Sequence, residues 1–280
     1  MICAIIITYN PNLAKLTNLV DSLRPQVQKI IIVDNTPSLN HLQIGDIELV
    51  DLETNIGIGA AQNIGLDLAF ELGAKEVILF DQDSTPPANL VSILSSELNE
   101  LNEKQYNIAA IGPTIFCELE NRLLESSIDR VRPLTDALSD VNQLISSGML
   151  IPRRAYEAVG GMDEDLFIDA VDHEWCWRAR SQGLMIVQSK SVQMKHLLGE
   201  KRYKVLGIWT KLTAPERLYF QFRNVFWLLN KNHVPFYWKL RNILAMPIKV
   251  ILVICLHPDK ASRLRNIYLG LQDGLKGKPV

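Results

Sequence analysis

The sharpest chemical signal in this chain is the run Phe80-Asp81-Gln82-Asp83-Ser84, which follows the apolar Val77-Ile78-Leu79. Two carboxylates at i and i+2 just past a strand's carboxyl end project into the crevice where open α/β sheets bind ligands. A divalent cation bridging diphosphate oxygens wants hard oxygen ligands of this kind, and Mg²⁺ takes one or two carboxylates beside phosphate and water. The plainer reading is a helix N-cap with a spare surface acid, since Asp83 or Ser84 precedes Pro86. A second concentration of charge is Asp163 to Glu174, with six acids in twelve residues. That much like charge is costly unless a metal, a cationic partner or catalysis uses it. Asp172, at the start of a helix, is the candidate general base, because a carboxylate beside an acceptor hydroxyl can take its proton as the hydroxyl attacks. Bulky Trp175 beside it would wall an acceptor site, and the alternative for Asp172 is an acid favoured by the helix dipole. His196 ends an apolar-alternating stretch; as a neutral imidazole it could complete the shell that Asp83 begins.

Other strand ends deliver polar groups to the same edge. The first closes in Thr8-Tyr9-Asn10-Pro11 and the second in Val33-Asp34-Asn35-Thr36. Asp34 can hydrogen-bond a ribose or a uracil-type imide, while Thr8 and Tyr9 could line a base pocket; an ordinary Asx turn explains Asp34-Asn35 equally. The stretch Asn55 to Gly65 carries Gly57, Gly59 and Gly65 after a strand and at the opening of a helix. Its spacing departs from the dinucleotide fingerprint, which excludes a Rossmann dehydrogenase. The glycines would let backbone approach a nucleotide at a helix N-terminus, where free N–H groups favour an anion. A tight structural turn is the competing account.

The elements that must position these groups read as an α/β protein. Ile- and Val-rich runs near 2–8, 29–34, 47–52, 76–81, 108–112 and 144–151 predict strands of a mostly parallel sheet. Helices are expected near 12–24, 59–73 and 86–103, then from Pro152 to Gly160-Gly161, and again over 171–183. The polar stretch 113–143 is expected to cross the surface. Met1 to Ile7 reads as a buried first strand and not as a secretory signal.

The chain has 280 residues, 48 % of them hydrophobic, enough for one large domain and an appended segment. Domains are expected at 1–200 and 201–280. The net charge of −2 conceals an asymmetry: residues 1–194 hold 13 basic and 27 acidic side chains, residues 195–280 hold 16 and 4. A basic tail on an acidic body implies an anionic partner, and interleaved apolar residues favour a membrane over nucleic acid. The apolar run Ile243 to Leu256, interrupted by Pro247 and Lys249, is too short to span a bilayer, which needs about 20 residues. It is expected to be a buried helix or an interfacial one. Cys3, Cys117, Cys176 and Cys255 lack metal-type spacing and read as buried thiols of a reducing compartment.

Taken together, Ile6-Ile7-Thr8-Tyr9-Asn10, Val33-Asp34-Asn35, the Asn55 to Gly65 segment, Asp81-Gln82-Asp83, Ser146-Ser147-Gly148, Phe167-Ile168-Asp169-x-x-Asp172-x-Glu174-Trp175-x-x-Arg178 and His196-x-x-Gly199 resemble the family 2 inverting glycosyltransferases. The likeness is greatest to their bacterial rhamnosyltransferase branch and covers roughly residues 2–200. The resemblance implies a GT-A fold with a mostly parallel central sheet flanked by helices and a helical, basic and aromatic C-terminal segment. It implies that Asp34 contacts the nucleoside, Asp81 the ribose or diphosphate, and Asp83 with His196 the Mg²⁺ or Mn²⁺. It further implies Asp172 as base, Ser147-Gly148 under the sugar, and donor contacts from Thr8, Tyr9, Asn10, Asn55, Gly57, Asn63, Gln82, Arg217 and Arg223. Asp169 and Trp175 would face the acceptor. The family often has Glu-Asp where this chain has Val171-Asp172, which removes one neighbouring acid.

The expected activity is transfer of a sugar, L-rhamnose from dTDP-rhamnose by this branch resemblance, to a lipid-linked saccharide in polysaccharide or O-antigen synthesis. The expected place is cytoplasmic, peripheral to the inner face of the cell membrane, with a homo-oligomer left open and no nucleic-acid partner. A sugar-1-phosphate nucleotidyltransferase would need a Gly-rich, Arg- and Lys-containing signature after strand one, which Thr8 to Leu13 does not supply. A non-catalytic nucleotide-sugar-binding subunit is the remaining alternative, against which both intact acid clusters argue.

Overall fold

The computed structural model describes residues 1–37, 47–117, 122–123, 131–196, 202–205, 208–211, 214–256 and 259–277. It begins with four parallel strands and the helices that cover them. β1 (Ile2–Thr8), β2 (Lys29–Asp34), β3 (Glu48–Asp51) and β4 (Glu76–Asp81) lie in the spatial order β3-β2-β1-β4. β1 is buried from Cys3 to Thr8, as a parallel strand covered on both faces must be. α1 (Leu13–Leu23) starts where Asn12 accepts the Lys15 N–H at 3.2 Å, satisfying one of the helix's orphan donors. α2 (Ile58–Glu71) packs so closely on the sheet that a Cβ at Gly65 would lie 2.6 Å from Ile5 Cγ2. α3 (Leu90–Glu103) begins four residues later than the sequence suggests, because Ala88 and Asn89 form a turn between the two prolines and the helix, closed by Leu90 N–H on Pro87 O at 3.2 Å.

The second half of the sheet departs further from expectation. β5 (Ile108–Cys117) and β10 (Met185–His196) pair in parallel, whereas β9 (Met149–Pro152) runs antiparallel between β4 and β5. The expected strand over 144–151 is therefore shorter and later, since Gly148 takes a left-handed φ of 84° just before it. The stretch 113–143 also contributes to the sheet. It prolongs β5 and supplies β6 (Arg122–Leu123), β7 (Arg132–Pro133) and the buried β8 (Leu138–Val141), which pairs with β10. The polar residues of β8 hid it in the sequence: Asp140 is buried because Arg180 of α5 (Val171–Ser181) pairs with it. The sheet is consequently parallel at its first four strands and mixed overall. α4 (Arg153–Val159) follows β9 directly.

By its contacts the chain forms two compact units. The first runs to Glu164 and resumes from Val171 through β10; the second consists of residues 165–170 together with the chain after β10. Within the second unit lie a two-stranded ribbon, β11 (Arg202–Val205) and β12 (Ile208–Lys211), and three helices, α6 (Pro215–Leu229), α7 (Phe236–Leu256) and α8 (Lys260–Lys276). Leu218, Phe222, Val253 and Ile267 form its buried core. α8 approaches α6 along Gly270 and Gly274, where a Cβ at 270 would sit 2.4 Å from the Tyr219 carbonyl oxygen. A backbone carbonyl cannot swing aside. We therefore expect Gly270→Ala to lower the melting temperature, although alanine favours a helix by about 1 kcal/mol over glycine, because overpacking costs about 1–3 kcal/mol; an unchanged or raised melting temperature contradicts this packing.

Candidate active site

Register dictates where the polar strand ends fall. Thr8 pairs with Asp34, Asp34 with Asp51, and Ile7 with Asp81, so four parallel strands close in Asp51, Asp34, Thr8 and Asp81 along one edge. β1 is also the strand at which the chain order reverses, the place where open α/β sheets form their ligand crevice. Asp34 is 4 % exposed, and its Oδ1 accepts from the Thr8 hydroxyl at 2.8 Å, the Thr36 hydroxyl at 2.6 Å and the Thr36 N–H at 3.2 Å. All three donors use the same oxygen, and among the described residues none donates to Oδ2. Thr36, the last residue of the Val33 to Thr36 strand end, fixes Asp34 through an Asp-x-Thr turn.

Neighbouring loops are fastened by side-chain amides. Gln82 brackets the Tyr9 backbone, accepting its N–H at 2.7 Å and donating to its carbonyl at 3.1 Å. This joins the end of β4 to the end of β1 and leaves the Tyr9 side chain half exposed. Asn10, at a positive φ of 46°, donates its N–H to Thr36 Oγ1. Asn35 donates to Asn55 Oδ1 at 2.9 Å and accepts the Ile56 N–H at 2.8 Å, while Gly57, at φ 90°, donates to Asn55 Oδ1. The amino end of α2 thus opens without a side-chain cap, next to an exposed Asn55.

Asn63 corrects the sequence reading. Its Oδ1 accepts the Met162 N–H at 2.6 Å, and its Nδ2 donates to Met162 O at 3.1 Å and Glu164 Oε1 at 2.7 Å. A buried amide so engaged positions the acid segment and has little left for a donor. Gly161 permits the approach, since a Cβ there would lie 2.7 Å from Asn63 Oδ1.

The β4 acids and Asp172 are tied to consecutive residues. Ser147 Oγ accepts the Asp81 N–H at 3.5 Å and shares a hydrogen with Ser84 Oγ, and Gly148 N–H donates to Leu79 O at 2.7 Å. One residue earlier, Ser146 N–H donates to Asp172 Oδ2 at 3.2 Å, while Asp172 Oδ1 accepts the His173 N–H at 2.8 Å. The two acid clusters, some ninety residues apart in the chain, therefore meet across Ser146-Ser147. Asp81, Gln82, Asp83 and Asp172 are all half-buried. An isolated bridge pairs Lys195 with Thr85, which brings the backbone next to His196 alongside the residues after Asp83. The His196 side chain and Leu197 to Gly199 lie outside the described residues. Among the described residues no group of three or more His, Cys, Asp or Glu side chains is arranged to hold a metal ion. Asp81 and Asp83 nonetheless offer hard oxygens of the type that Mg²⁺ or Mn²⁺ takes.

Trp175, Arg223 and the Asp169–Arg217 pair already have partners inside the protein. Trp175 is fully buried with its indole N–H on Gly160 O at 2.8 Å, so it braces α5 and does not wall an acceptor. Arg223, 8 % exposed, donates to Asp165 O at 2.6 Å and Leu166 O at 3.1 Å, with its guanidinium 4.0 Å from the Trp227 ring centroid. Burial pushes its pKa below the usual arginine value, and its donors are turned inward to carbonyls and not to a diphosphate. Asp169 and Arg217 are each other's partners in a two-pronged pair, with contacts of 2.7 and 3.1 Å. Asn224 joins Arg223 by donating to the carbonyls of Leu166, Ile168 and Asp169. The segment they hold has left-handed φ at Phe167, Asp169 and Ala170, a conformation that costs about 1–3 kcal/mol per residue outside glycine.

The thiols divide. Cys3 and Cys176 are buried and burial raises both, Cys176 to about 12, whereas Cys255 is exposed, contrary to expectation, because it lies on the open side of α7.

α5 itself is held by a buried ion pair. Glu174 is fully buried, and Arg178 binds it at 3.1 Å while donating to Val159 O and Gly161 O at 2.7 and 2.6 Å. Arg178→Ala takes the guanidinium away from a fully buried carboxylate. We expect a loss of about 3–5 kcal/mol in chemical denaturation, and a loss within experimental error would show that the pair does not hold α5.

No family model matches the chain. It is 34 % identical to the dTDP-rhamnosyl transferase RfbF of Shigella flexneri over 99 % of its own length and 96 % of that protein's. It is 24 % identical to the low-salt glycan biosynthesis hexosyltransferase Agl10 of Haloferax volcanii, over 71 % of this chain and 66 % of that one. Among solved structures it is similar to S. aureus TarS in complex with UDP-GlcNAc, with a TM-score of 0.60, 16 % identity, and coverage of 97 % of this chain and 81 % of that one. GalNAc-T7 with UDP, GalNAc and Mn²⁺ superposes with a TM-score of 0.56 and 14 % identity, over 77 % of this chain and 45 % of that one. These structural likenesses show the GT-A fold.

Proposed function

The chain belongs to the family 2 glycosyltransferases of the GT-A fold, in their bacterial rhamnosyltransferase-like branch, and we propose that it moves L-rhamnose from dTDP-rhamnose to the hydroxyl of a lipid-linked saccharide with inversion at the anomeric carbon. That the chain is a glycosyltransferase follows from the family. The donor identity draws on the name of its S. flexneri relative. The acceptor, a place in polysaccharide or O-antigen synthesis and peripheral contact with the inner face of the cell membrane draw on the branch resemblance and the basic tail.

The observation that carries the mechanism is the junction at Ser146-Ser147. It joins Asp172 to the Asp81-Gln82-Asp83 turn, so a proton acceptor and a diphosphate-side acid cluster belong to one hydrogen-bonded frame. In this reading the nucleoside lies along the strand edge, with Asp34 Oδ2 accepting from the ribose or the thymine imide. Three donors on Oδ1 hold that carboxylate in its orientation. Tyr9, Asn10, Asn55 and Gly57 line the same edge, and the open amino end of α2 favours the anionic part of the donor. Ser147 and Gly148 lie under the sugar.

Asp172 takes the proton of the attacking hydroxyl. Its two hydrogen bonds occupy part of a carboxylate's four or so acceptor positions, leaving room for the substrate. Such a base contributes about 10²–10⁴-fold. Asp83, with Asp81 nearby and His196 from the end of β10, would hold Mg²⁺ or Mn²⁺. When bound, that cation supplies positive charge to the departing nucleoside diphosphate. A non-catalytic donor-binding subunit is disfavoured by a base held on the same frame as the donor acids.

Asp172→Asn should reduce transfer from dTDP-rhamnose by at least about 100-fold while donor affinity stays within a few-fold; near-normal turnover removes Asp172 from this role. Excess chelator should abolish transfer and added Mn²⁺ or Mg²⁺ restore it, and full activity in chelator would refute the cation assignment.

A further inference from the structure

We propose that α7 docks the protein on an anionic phospholipid surface through its open apolar face, which gives the membrane contact invoked above a definite helix face and headgroup charge. α7 is apolar on two sides. Met246, Val250 and Val253 turn toward the core of the second unit. On another side Phe236, Leu240, Leu244, Ile248, Ile251 and Ile254 recur at three- and four-residue spacing and are 45–78 % exposed. A helix apolar on both sides needs a second apolar environment, and single scattered surface residues do not produce a stripe five turns long.

Charge selects the occupant. Between Glu216 and Asp259 the sequence has six Lys and Arg residues and no acid; Arg217, Arg223 and Lys239 are engaged within the unit, by Asp169 and by backbone carbonyls. Arg241 is exposed beside the stripe, and Lys260 and Arg265 are exposed on α8. A symmetric contact with a second copy would set these cations against one another with no carboxylate of α7 to compensate. An anionic bilayer surface instead matches both features, because it accepts the apolar side chains below the headgroups and attracts the flanking cations. Among the described residues no helix is long and apolar enough to cross a membrane, so the contact runs along the surface.

The test uses the full-length protein and pelleted vesicles of phosphatidylcholine, alone or with about 30 mol % phosphatidylglycerol. We expect binding to the anionic vesicles at least about tenfold above the neutral ones, weakening as salt shortens the Debye length. Leu244→Glu with Ile251→Glu should cut that binding by about tenfold or more and leave the melting temperature unchanged, since both residues are exposed. If the double variant is unstable, the wild-type comparison of anionic with neutral vesicles still decides the matter. Equal binding to both vesicle types, no binding to either, or full binding by a stable variant overturns the proposal. So does a dimer in vesicle-free sedimentation that the variant abolishes, which would give the face to a second copy. A thermal shift with dTDP-rhamnose, measured without vesicles, separates this proposal from the donor assignment. Vesicle binding without donor stabilisation supports docking and removes the donor; donor stabilisation without vesicle binding does the reverse.

Discussion

Parallel strands joined by helices must all end at the same edge of their sheet, and the donor side of the candidate active site follows from that constraint. Once β1, β2, β3 and β4 adopt their register, Thr8, Asp34, Asp51 and Asp81 have no other place to go. Such crowding of carboxylates is unfavourable in isolation. Here Asp34 is compensated by two hydroxyls and an N–H on one oxygen, and the remaining oxygen keeps its capacity for a ligand. The arrangement resembles a socket whose polarity is set before anything binds, which lowers the reorganisation needed when charge develops in a reaction.

The antiparallel β9 inserts into this parallel frame and determines how the two acid clusters meet. Because it runs against β4, the loop ahead of it arrives at the carboxyl edge, and Gly148 turns there with a φ that side chains rarely tolerate. A Cβ on Gly148 would lie 3.0 Å from Pro113, so the turn is closed from both sides. Ser146 and Ser147 are held at that turn and use one hydrogen bond each to reach α5 and β4. Asn63 and the Glu174–Arg178 pair then secure the segments on either side of Asp172 from within the first unit.

The second unit shows a different use of polar groups. Arg223 and Asn224 spend their donors on the carbonyls of residues 165–169, and three aromatic rings surround the guanidinium. A segment with three left-handed non-glycine residues persists only where its surroundings over-determine it, and these bonds supply that determination. Phe167 stacked on Phe220 at 4.5 Å adds an apolar anchor to the same segment. α7 completes this unit with one side and leaves another side open, an imbalance that packing within the unit does not remove.

Local pattern alone was enough to read the first four strands, the helices between them and the acids at their ends. Each of those elements combines an unbroken apolar run with turn residues at its boundary, and both signals are contained in neighbouring residues. The polar strand β8, the shortened β9, and the burial of Trp175 and Arg223 were not legible, because a side chain's partners across the sheet or from a distant helix decide them. Asp140 becomes a strand residue only when Arg180 arrives forty positions later, and Asn63 becomes a positioning residue only when Met162 folds against it. Residue type states what a group is able to bond; which of those bonds are already taken inside the protein is settled by long-range packing, since a hydrogen bond forms between neighbours in space and not in sequence.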